Sequence, residues 1–468
     1  MPPPARQAVI VVGGGVAGIA AGCALADHGY RVQLLERQSY LGGRACSYEH
    51  PGTGEVIDNC QHVLLGCCTN LIDLYRRLGL EDEISWFRAL TLLEPGGRRS
   101  ILEPSSMPAP LHFSASLLKA SCFSTSDKIT IAAGIRAFLF HKPDGEEESL
   151  AQWLEHHQQT EAAIRRFWHP LLVNALNEEP EHIPLKHAVK LFREAFLLSA
   201  EGGSMGIPRL PLSELHGRAQ QYIEARGGKV HLRTNVACFE RIGEQWRART
   251  EDGQAFHSDN VILAVPVDAL DELMSGLPRS DASRQLTLGL GSFSHAPIVS
   301  VHLWFDREVT DLTHAALLDS PLHWLFHKSK LQPGHANGGR SYIELVVTSS
   351  KSMAEMQRSE IIDLAMEELA RFLPEVAEAV LVKATVIKEM HATCNLPPPL
   401  DTLRPGPESP WKSIYLAGDW TATGWPSSME SGVRSGYIAA EALAHTNQDE
   451  TKFLVPDLQP TGWMKFFT

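Results

Sequence analysis

The longest uncharged apolar stretch of the chain runs from residue 8 to residue 26. Its length is typical of a membrane-spanning helix, but three consecutive glycines at 13–15 interrupt it. Glycine weakens a helix and permits a sharp turn, so the pattern predicts a buried strand over 9–12 followed by a turn. An alanine-rich helix is predicted over 17–28, and Gly29 can end it.

A second short strand is predicted over 31–35, and it ends at Glu36, which is followed by Arg37. The intervening turn carries the pattern G-x-G-x-x-G, formed by Gly13, Gly15 and Gly18. In such a unit the helix amino terminus faces a pyrophosphate, and an acid about twenty residues further on binds the adenosine ribose. Glu36 therefore predicts FAD or NAD, with an unphosphorylated ribose.

A glycine pair at 42–43, followed by Arg44, comes directly after this unit. A nicotinamide-binding domain would usually continue here with further strand and helix repeats. A glycine backbone lets a cofactor approach closely, and an arginine can bind its phosphate or the flavin edge. We interpret Gly43 and Arg44 as FAD contacts; the alternative is an ordinary loop.

The carboxyl-terminal part of the chain repeats the strand-to-helix pattern. A strand predicted over 413–416 leads to Gly418 and Asp419, and a helix is predicted over 433–444. This arrangement can place backbone N–H groups under the flavin edge, with Asp419 near the ribityl or phosphate region. The two ends of the chain would then share one FAD.

Together these segments resemble the FAD-dependent amine oxidase and phytoene desaturase superfamily. The resemblance is carried by VVGGGVAGIAAG, LERQSYLGGRA, DNCQHVLLGCCTN and YLAGDWTATGWPSSMESGVRSG. A narrower likeness, based on 58–70, 108–112 and the carboxyl-terminal string, is to the squalene-associated FAD-dependent desaturases, the hydroxysqualene dehydroxylases. The resemblance implies FAD contacts from Val236 and Met429, although Val236 is equally consistent with a core residue.

The predicted fold class is α/β, with a Rossmann-like FAD-binding domain and an interleaved α+β substrate domain. The predicted FAD-binding domain comprises 1–88, 212–285 and 391–450, the substrate domain 89–211 and 286–390, and the tail 451–468. Within them, one long helix is predicted over 353–372 and a proline-rich loop over 397–410.

Composition excludes some classes of protein. The 468 residues are sufficient for about two or three folding units, and 55 acidic against 42 basic residues give a net charge of -13. This charge argues against nucleic acid as a partner. Eight cysteines are scattered without metal-ligand spacing, so we expect reduced thiols in a cytoplasmic protein and no metal site.

One segment, 104–142, has the opposite charge. Its basic residues outnumber its single acid, Asp127, by three, and its apolar residues recur near helical spacing. We expect a peripheral contact with the inner face of the membrane, with the aromatic residues of 463–467 as a second anchor. A helix packed on the protein core is the alternative.

The narrower likeness implies a long-chain isoprenoid substrate and the reduction of hydroxysqualene to squalene by hydride from reduced flavin, with an unspecified reductant. Such a reaction needs a general acid, for which His62 and Asp58 are the candidates. A carotenoid-type desaturase is the main alternative reading. An amine oxidase, for which Trp420 and Trp425 would form an aromatic cage, and a non-catalytic flavin-holding partner are less favoured.

Overall fold

The computed structural model describes residues 7–51, 54–141, 148–274, 276–336 and 338–467. Within these residues the strands are β1 (Ala8–Val12), β2 (Arg31–Leu35), β3 (Ser47–Glu49), β4 (Val56–Asp58), β5 (Leu64–Leu65), β6 (Ile84–Phe87), β7 (Leu90–Leu93), β8 (Arg99–Leu102), β9 (Met205–Pro208), β10 (Lys229–His231), β11 (Val236–Ile242), β12 (Gln245–Thr250), β13 (Ala255–Ser258), β14 (Asn260–Leu263), β15 (Ser294–Phe305), β16 (His314–Leu317), β17 (Trp324–His327), β18 (Ser341–Val347), β19 (Leu381–Asn395) and β20 (Ile414–Leu416).

The α-helices of the same residues are α1 (Val16–Asp27), α2 (Thr69–Arg77), α3 (Ser114–Lys119), α4 (Thr125–Phe140), α5 (Leu150–His156), α6 (Glu161–Ala163), α7 (Asn174–Leu176), α8 (Leu185–Phe192), α9 (Leu212–Glu224), α10 (Val267–Met274), α11 (Asp281–Leu290), α12 (Lys328–Leu331), α13 (Lys351–Glu355), α14 (Arg358–Phe372), α15 (Pro398–Asp401) and α16 (Met429–Thr446). Two further helical segments, Ile164–Val173 and Arg193–Leu197, are π-helical.

A parallel five-stranded sheet forms the cofactor half of the molecule. Its strand order is β10-β2-β1-β14-β20, and every neighbouring pair is parallel. One face of β1 packs against α1 and α16, and the other face packs against the small antiparallel sheet β11-β12-β13. Because strands covered on both faces must be apolar throughout, all five residues of β1 are buried. The predicted strand, turn and helix are confirmed, and so is the α/β fold class.

A seven-stranded sheet, in the order β19-β15-β18-β17-β16-β7-β8, forms the other half. Its pairs are antiparallel except for β16 with β7. The helix α14 packs on one face through an apolar cluster that includes Val299 and Leu345. The opposite face carries residues such as Trp324 and Phe326, which line the large cavity described below. The predicted domain boundaries themselves stay a prediction.

Three local predictions need correction. The single helix expected over 353–372 is two helices, because a Glu360 carboxylate oxygen accepts a hydrogen bond from the Gln357 N–H (2.8 Å) and begins α14 there. The helix expected over 433–444 begins earlier, at Met429, where the Ser428 hydroxyl accepts from the Ser431 N–H. The loop expected over 397–410 contains the short helix α15.

The apolar stretch at 8–26 is divided between β1 and the 12-residue helix α1. Among the described residues, no helix has the length and the apolar character needed to cross a membrane.

Candidate active site

A cavity of about 1190 Å³ extends between the two large sheets. At one end its walls come from the turn after β1, the end of β2 and the start of α16; this is called the cofactor end. At the other it is lined by residues from the span 87–205, and this is called the apolar arm. The loop between β4 and β5, residues 59–63, contains His62 and lines the cavity as well.

The turn after β1 is compact because two glycines make contacts that no side chain would permit. Gly13 has a φ of +103°, and a Cβ there would lie 2.3 Å from the Ala264 carbonyl oxygen. A Cβ on Gly18 would lie 1.9 Å from the Gly13 carbonyl oxygen. Gly13 and Gly15 line the cavity, while Gly18 permits the close approach of α1. This is the geometry that a pyrophosphate at a helix amino terminus requires.

Glu36 is held at the end of β2 by backbone groups. Its carboxylate oxygens accept hydrogen bonds from the N–H groups of Gly14 (2.6 Å) and Gln38 (2.7 Å). The side chain is buried yet lines the cavity beside exposed Arg37. A carboxylate fixed in this way can accept hydrogen bonds from ribose hydroxyls, as the sequence predicts.

The two ends of the chain meet at Arg44. Its guanidinium donates to a carboxylate oxygen of Asp419 at 2.5 Å, and it also donates to the Ala392 carbonyl oxygen at 3.3 Å. Burial alone would raise the pKa of Asp419, but Arg44 outweighs it and the pKa lies below its ordinary value. Gly43 has a φ of +61° and packs against Gly15, so the glycine pair lies directly under the cavity.

Gly418, Met429 and Val236 also line the cofactor end. Gly418 has a φ of +153°, and a Cβ would lie 2.2 Å from the Trp420 indole nitrogen. Met429 is the first residue of α16, so backbone N–H groups at this helix amino terminus can favour an electron-rich group. A glycine turn, an acid positioned to bind a ribose, a partly buried arginine and a second helix amino terminus together fit FAD.

The apolar arm differs sharply in chemistry from the cofactor end. Its lining includes Leu102, Leu117, Ile135, Leu139, Phe167 and Leu171. Among the described residues of 87–205 that line the cavity, none is a carboxylate, and the charged side chains are Arg88, Lys128 and Arg136. The arm can therefore bury a long uncharged molecule.

His62 is one of the residues that line the cavity. Its Nδ1 lies 2.9 Å from the Cys60 carbonyl oxygen, which fixes Nδ1 as the protonated nitrogen and leaves the lone pair on Nε2. Burial lowers the pKa of His62 below its usual value. The ring is therefore neutral near pH 7 and able to accept a proton.

Asp58 occupies a different environment and is not among the residues that line the cavity. It accepts hydrogen bonds from Lys328 Nζ (2.9 Å), Gln332 Nε2 (2.8 Å) and the Leu212 N–H (3.0 Å). Burial would raise the pKa of Asp58, but the Lys328 ammonium, the Ser47 hydroxyl and the Leu212 N–H hold it well below its usual range. The structure thus gives Asp58 a supporting position under the loop and does not bring it to the reaction space with His62.

Sequence reasoning missed the partners of Asp58. Lys328 is fully buried and lies 2.9 Å from Asp58 and 3.4 Å from Glu344, while it donates to Gln61 Oε1 at 2.8 Å. Glu344 in turn accepts from the Gln61 N–H at 2.5 Å. Lys328 and Glu344 are more than 260 residues away from this loop, and no motif links them to it. A lysine directly after the apolar strand β17 was the only available signal.

The two tryptophans considered for an amine site do not act together. Trp425 lines the cavity. Trp420 instead packs within the core beside the five-stranded sheet and donates its indole N–H to the Val265 carbonyl oxygen at 3.0 Å. A cage built from both rings is therefore not formed.

At the rim of the cofactor end, potential metal ligands from Asp268, His295 and His391 lie within 4.8 Å of one another. His391 Nδ1 lies 3.6 Å from an Asp268 carboxylate oxygen, so this group also has a simple interpretation as an ion pair. The expectation that the protein needs no metal stays a prediction.

The family described as flavin containing amine oxidoreductase matches residues 16–444. The chain belongs to this family. Curated relatives include a 15-cis-phytoene desaturase from Synechococcus elongatus, which is 26% identical over 468 residues that cover 94% of this chain and 96% of the relative. A chloroplastic/chromoplastic 15-cis-phytoene desaturase from Solanum lycopersicum is 26% identical, covering 93% and 77%. A probable zeta-carotene desaturase from Synechococcus elongatus is 24% identical, covering 93% and 98%.

Solved structures share the fold. A cyclohexylamine oxidase from Brevibacterium oxydans has a TM-score of 0.68 at 17% identity, covering 95% of this chain and 100% of that chain. An oxidoreductase from Methanosarcina mazei has a TM-score of 0.72 at 16% identity, covering 94% and 100%. The protein is an FAD-dependent oxidoreductase, as the sequence predicts.

The prediction of a hydroxysqualene dehydroxylase is wrong, because the curated relatives are named as phytoene and zeta-carotene desaturases. The structure shows why the string at 58–70 was a poor guide to substrate. Asp58 and Gln61 bond to Lys328, Asn59 donates to the Arg44 carbonyl oxygen, and Asn70 donates to Glu430. These hydrogen bonds hold the loop in place, so these side chains meet structural demands that apply whatever the substrate is.

Proposed function

We propose that this flavoenzyme is a carotenoid-type desaturase, which removes two hydrogen atoms from a long acyclic isoprenoid and leaves a new carbon–carbon double bond. The observation that carries the proposal is the apolar arm, which continues from the flavin site without a carboxylate among its described lining residues. The names of the curated relatives support the same class of substrate.

A hydrocarbon has no group that can form ordinary hydrogen bonds, so its binding energy must come from burial. Each Å² of apolar surface removed from water contributes about 25 cal/mol, and a long polyene offers a large area. The leucine, isoleucine and phenylalanine side chains of the arm provide this burial. A protonated amine bound in the arm would have no carboxylate partner among the arm's described lining residues, and Trp420 packs away from Trp425, so the two rings form no cage for it.

Bound FAD in its oxidised form supplies a hydride acceptor, which is the redox chemistry of this reaction. The rest of the balance concerns a proton: when one carbon of the substrate loses hydride, the adjacent carbon must lose H⁺ as the double bond forms. His62 is our candidate to accept that proton at Nε2, because its Nδ1 is held by Cys60 and its pKa is lowered. The general-acid role expected of His62 and Asp58 applied to the loss of hydroxide in a dehydroxylation. A desaturation has no such leaving group and needs a base instead.

Because the substrate is oxidised and not reduced, the enzyme needs a different redox partner. A reductant is no longer needed, and an electron acceptor must instead reoxidise the flavin after each turnover. In a single turnover the bound flavin itself takes up both electrons, so no further acceptor is needed to test the chemistry.

The test is an anaerobic single turnover of the purified, FAD-loaded protein with phytoene, ζ-carotene or an acyclic C30 polyene in detergent micelles. We expect loss of the oxidised-flavin absorbance together with one new double bond per flavin, measured by product spectra and mass. Putrescine and cyclohexylamine serve as comparison substrates. Flavin reduction by either amine but by none of the polyenes would overturn the proposal.

A further inference from the structure

Exposed apolar side chains are concentrated on one surface of the protein. Seventeen large hydrophobic side chains among the described residues are highly exposed, and eight of them lie in two segments, 107–140 and 463–467. We call them the mouth surface, which consists of Met107, Leu111, Leu118, Ile129, Phe140, Trp463, Phe466 and Phe467. Exposure reaches 68% at Leu118 and 83% at Phe466. A cluster of this kind on a water-facing surface indicates an interaction site.

The helix α4 contributes to this surface with an unusual face. Its inward side packs Ile131 and Phe138 into the core of the surrounding helices. Its outward side carries Ile129, Ala133 and Phe140 at helical spacing. A helix packed only on the protein core normally turns polar residues outward. Beyond its first turn, the outward face of α4 is therefore unusually apolar, and Arg136 is its one exposed charged side chain.

The carboxyl-terminal turn, a short 3-10 helix over Gly462–Phe466, packs against α4. The two segments together form one continuous surface. The Trp463 N–H donates to the Ala109 carbonyl oxygen at 3.0 Å, and Met464 is buried against Leu139 and Ala109. The rings of Phe140 and Phe467 meet edge to face, with centroids 6.4 Å apart. The two anchors that the sequence suggested are thus parts of a single patch.

This patch lies at an opening of the apolar arm. Leu111 and Leu118 are exposed and also line the cavity, as does Arg136 on the outward side of α4. The neighbouring cations Lys119 and Lys465 are exposed as well. The one acid of 104–141, Asp127, is buried at the start of α4, where it accepts hydrogen bonds from Ser124. Lys142, which the charge count of 104–142 included, lies outside the described residues.

We propose that the mouth surface docks on a bilayer that contains anionic lipids, so that the apolar arm opens into the hydrocarbon. Its aromatic residues insert among the acyl chains and its lysines and Arg136 contact the headgroups. The proposal rests on the proposed function in one respect: a long isoprenoid dissolved in the bilayer can then enter the arm without crossing water. In a symmetric dimer Lys119, Arg136 and Lys465 of the two copies would face one another, so charge favours an anionic membrane over a second copy of this chain.

The test measures binding of the FAD-loaded protein to vesicles without substrate, so its result does not depend on which reaction the enzyme catalyses. Flotation is compared for vesicles of phosphatidylcholine alone and vesicles with 30% phosphatidylglycerol. The triple variant Phe140→Ser, Phe466→Ser, Phe467→Ser removes apolar contacts and none of these three residues lines the cavity. The matched control is Leu288→Ser, Val382→Ser, which removes exposed apolar side chains elsewhere.

We expect the wild type to bind anionic vesicles roughly tenfold more tightly than neutral ones and the triple variant to bind roughly 100-fold more weakly than the wild type. The control should bind like the wild type, and all three proteins should keep bound flavin and the same melting temperature. Equal binding of the triple variant and the wild type would overturn the proposal. So would a wild-type dimer that ignores vesicles and becomes monomeric in the triple variant, because the patch would then join two copies of the chain.

Discussion

At the cofactor end of the cavity, the walls include short glycine-containing turns, whereas the apolar arm is lined by residues from helices and strands far apart in the sequence. The cofactor end brings Gly13, Gly15 and Glu36 together within one strand–turn–helix–strand unit. The arm brings together Leu102, Ile135 and Leu171, whose positions depend on how β8, α4 and the π-helical segment Ile164–Val173 pack together. The amino-terminal part of the cofactor end is therefore defined by local geometry, and the arm by long-range packing.

This difference predicts different tolerance to substitution. A backbone turn that encloses a pyrophosphate fails when a single atom is added, because the contact is already at its limit. An apolar wall made of many side chains loses affinity gradually as individual contacts change. Four predictions, in order of decreasing expected effect, test this contrast.

The largest effect is expected from Gly18→Val. The new Cβ would lie 1.9 Å from the Gly13 carbonyl oxygen, so the turn must open and bound FAD should be lost almost completely. Flavin absorbance after gel filtration measures the loss. Gly217→Val is the matched control, because a Cβ on this helical glycine meets no atom within 4 Å. Full retention of FAD by Gly18→Val would remove the argument that the turn is at its steric limit.

His62, which belongs to neither set of residues, should affect the rate of the chemical step and not the binding of FAD or of the substrate. We expect His62→Ala to lower the rate of flavin reduction by roughly 100- to 10,000-fold, the usual contribution of a general base, with FAD affinity unchanged. Added imidazole should restore part of the rate. Since the base is active when neutral and its pKa is lowered, the wild-type rate should stay level down to pH 6.5 and fall only in more acidic solution. An unchanged rate in the variant would exclude His62 from proton transfer.

Lys328→Met removes the buried ammonium that supports the loop at 59–63. The variant leaves the Asp58 and Glu344 carboxylates buried without their cation, which should lower the free energy of unfolding by about 3–5 kcal/mol. Urea denaturation measures it. Adding Asp58→Asn and Glu344→Gln to the same chain should recover most of the loss, because the buried charges are then gone. No recovery would mean that packing, and not charge, explains the effect.

The sign of the pH effect follows from the same group. Because the folded pKa of Asp58 lies below its unfolded value, its contribution to stability is complete above the unfolded pKa and is lost as the pH falls through the folded one. The Lys328→Met variant should therefore lose less stability on acidification than the wild type.

The smallest effects should come from a reciprocal pair of substitutions. Leu171→Asn places an amide in the arm and should raise the KM for a polyene about tenfold, with FAD affinity unchanged. Glu36→Gln removes a charge from the ribose position and should raise the Kd for FAD about tenfold, with the KM unchanged once FAD is saturating. If either substitution alters both constants equally, the two regions do not act separately.

Much of the cofactor end could be predicted from sequence because its signals are short. The strand over Ala8–Val12, the glycine turn and Glu36 follow one another within thirty residues, and each residue type has one evident physical reason to be there. Arg44 and Asp419 were also predicted to face the cofactor, although the ion pair between them was not. The roles of His62 and Asp58 could not be separated, because the sequence does not show which of two titratable side chains in one short loop faces the cavity.

Sequence alone therefore determined the FAD-binding turn, because a turn that excludes side chains leaves a glycine pattern wherever it occurs. Only the tertiary structure decided that Asp58 is paired with Lys328, 270 residues away, while His62 lines the cavity. It alone showed that the carboxyl-terminal turn packs on α4 beside the opening of the apolar arm. Contacts between distant segments depend on how helices and sheets pack, and no local pattern of residues encodes that arrangement.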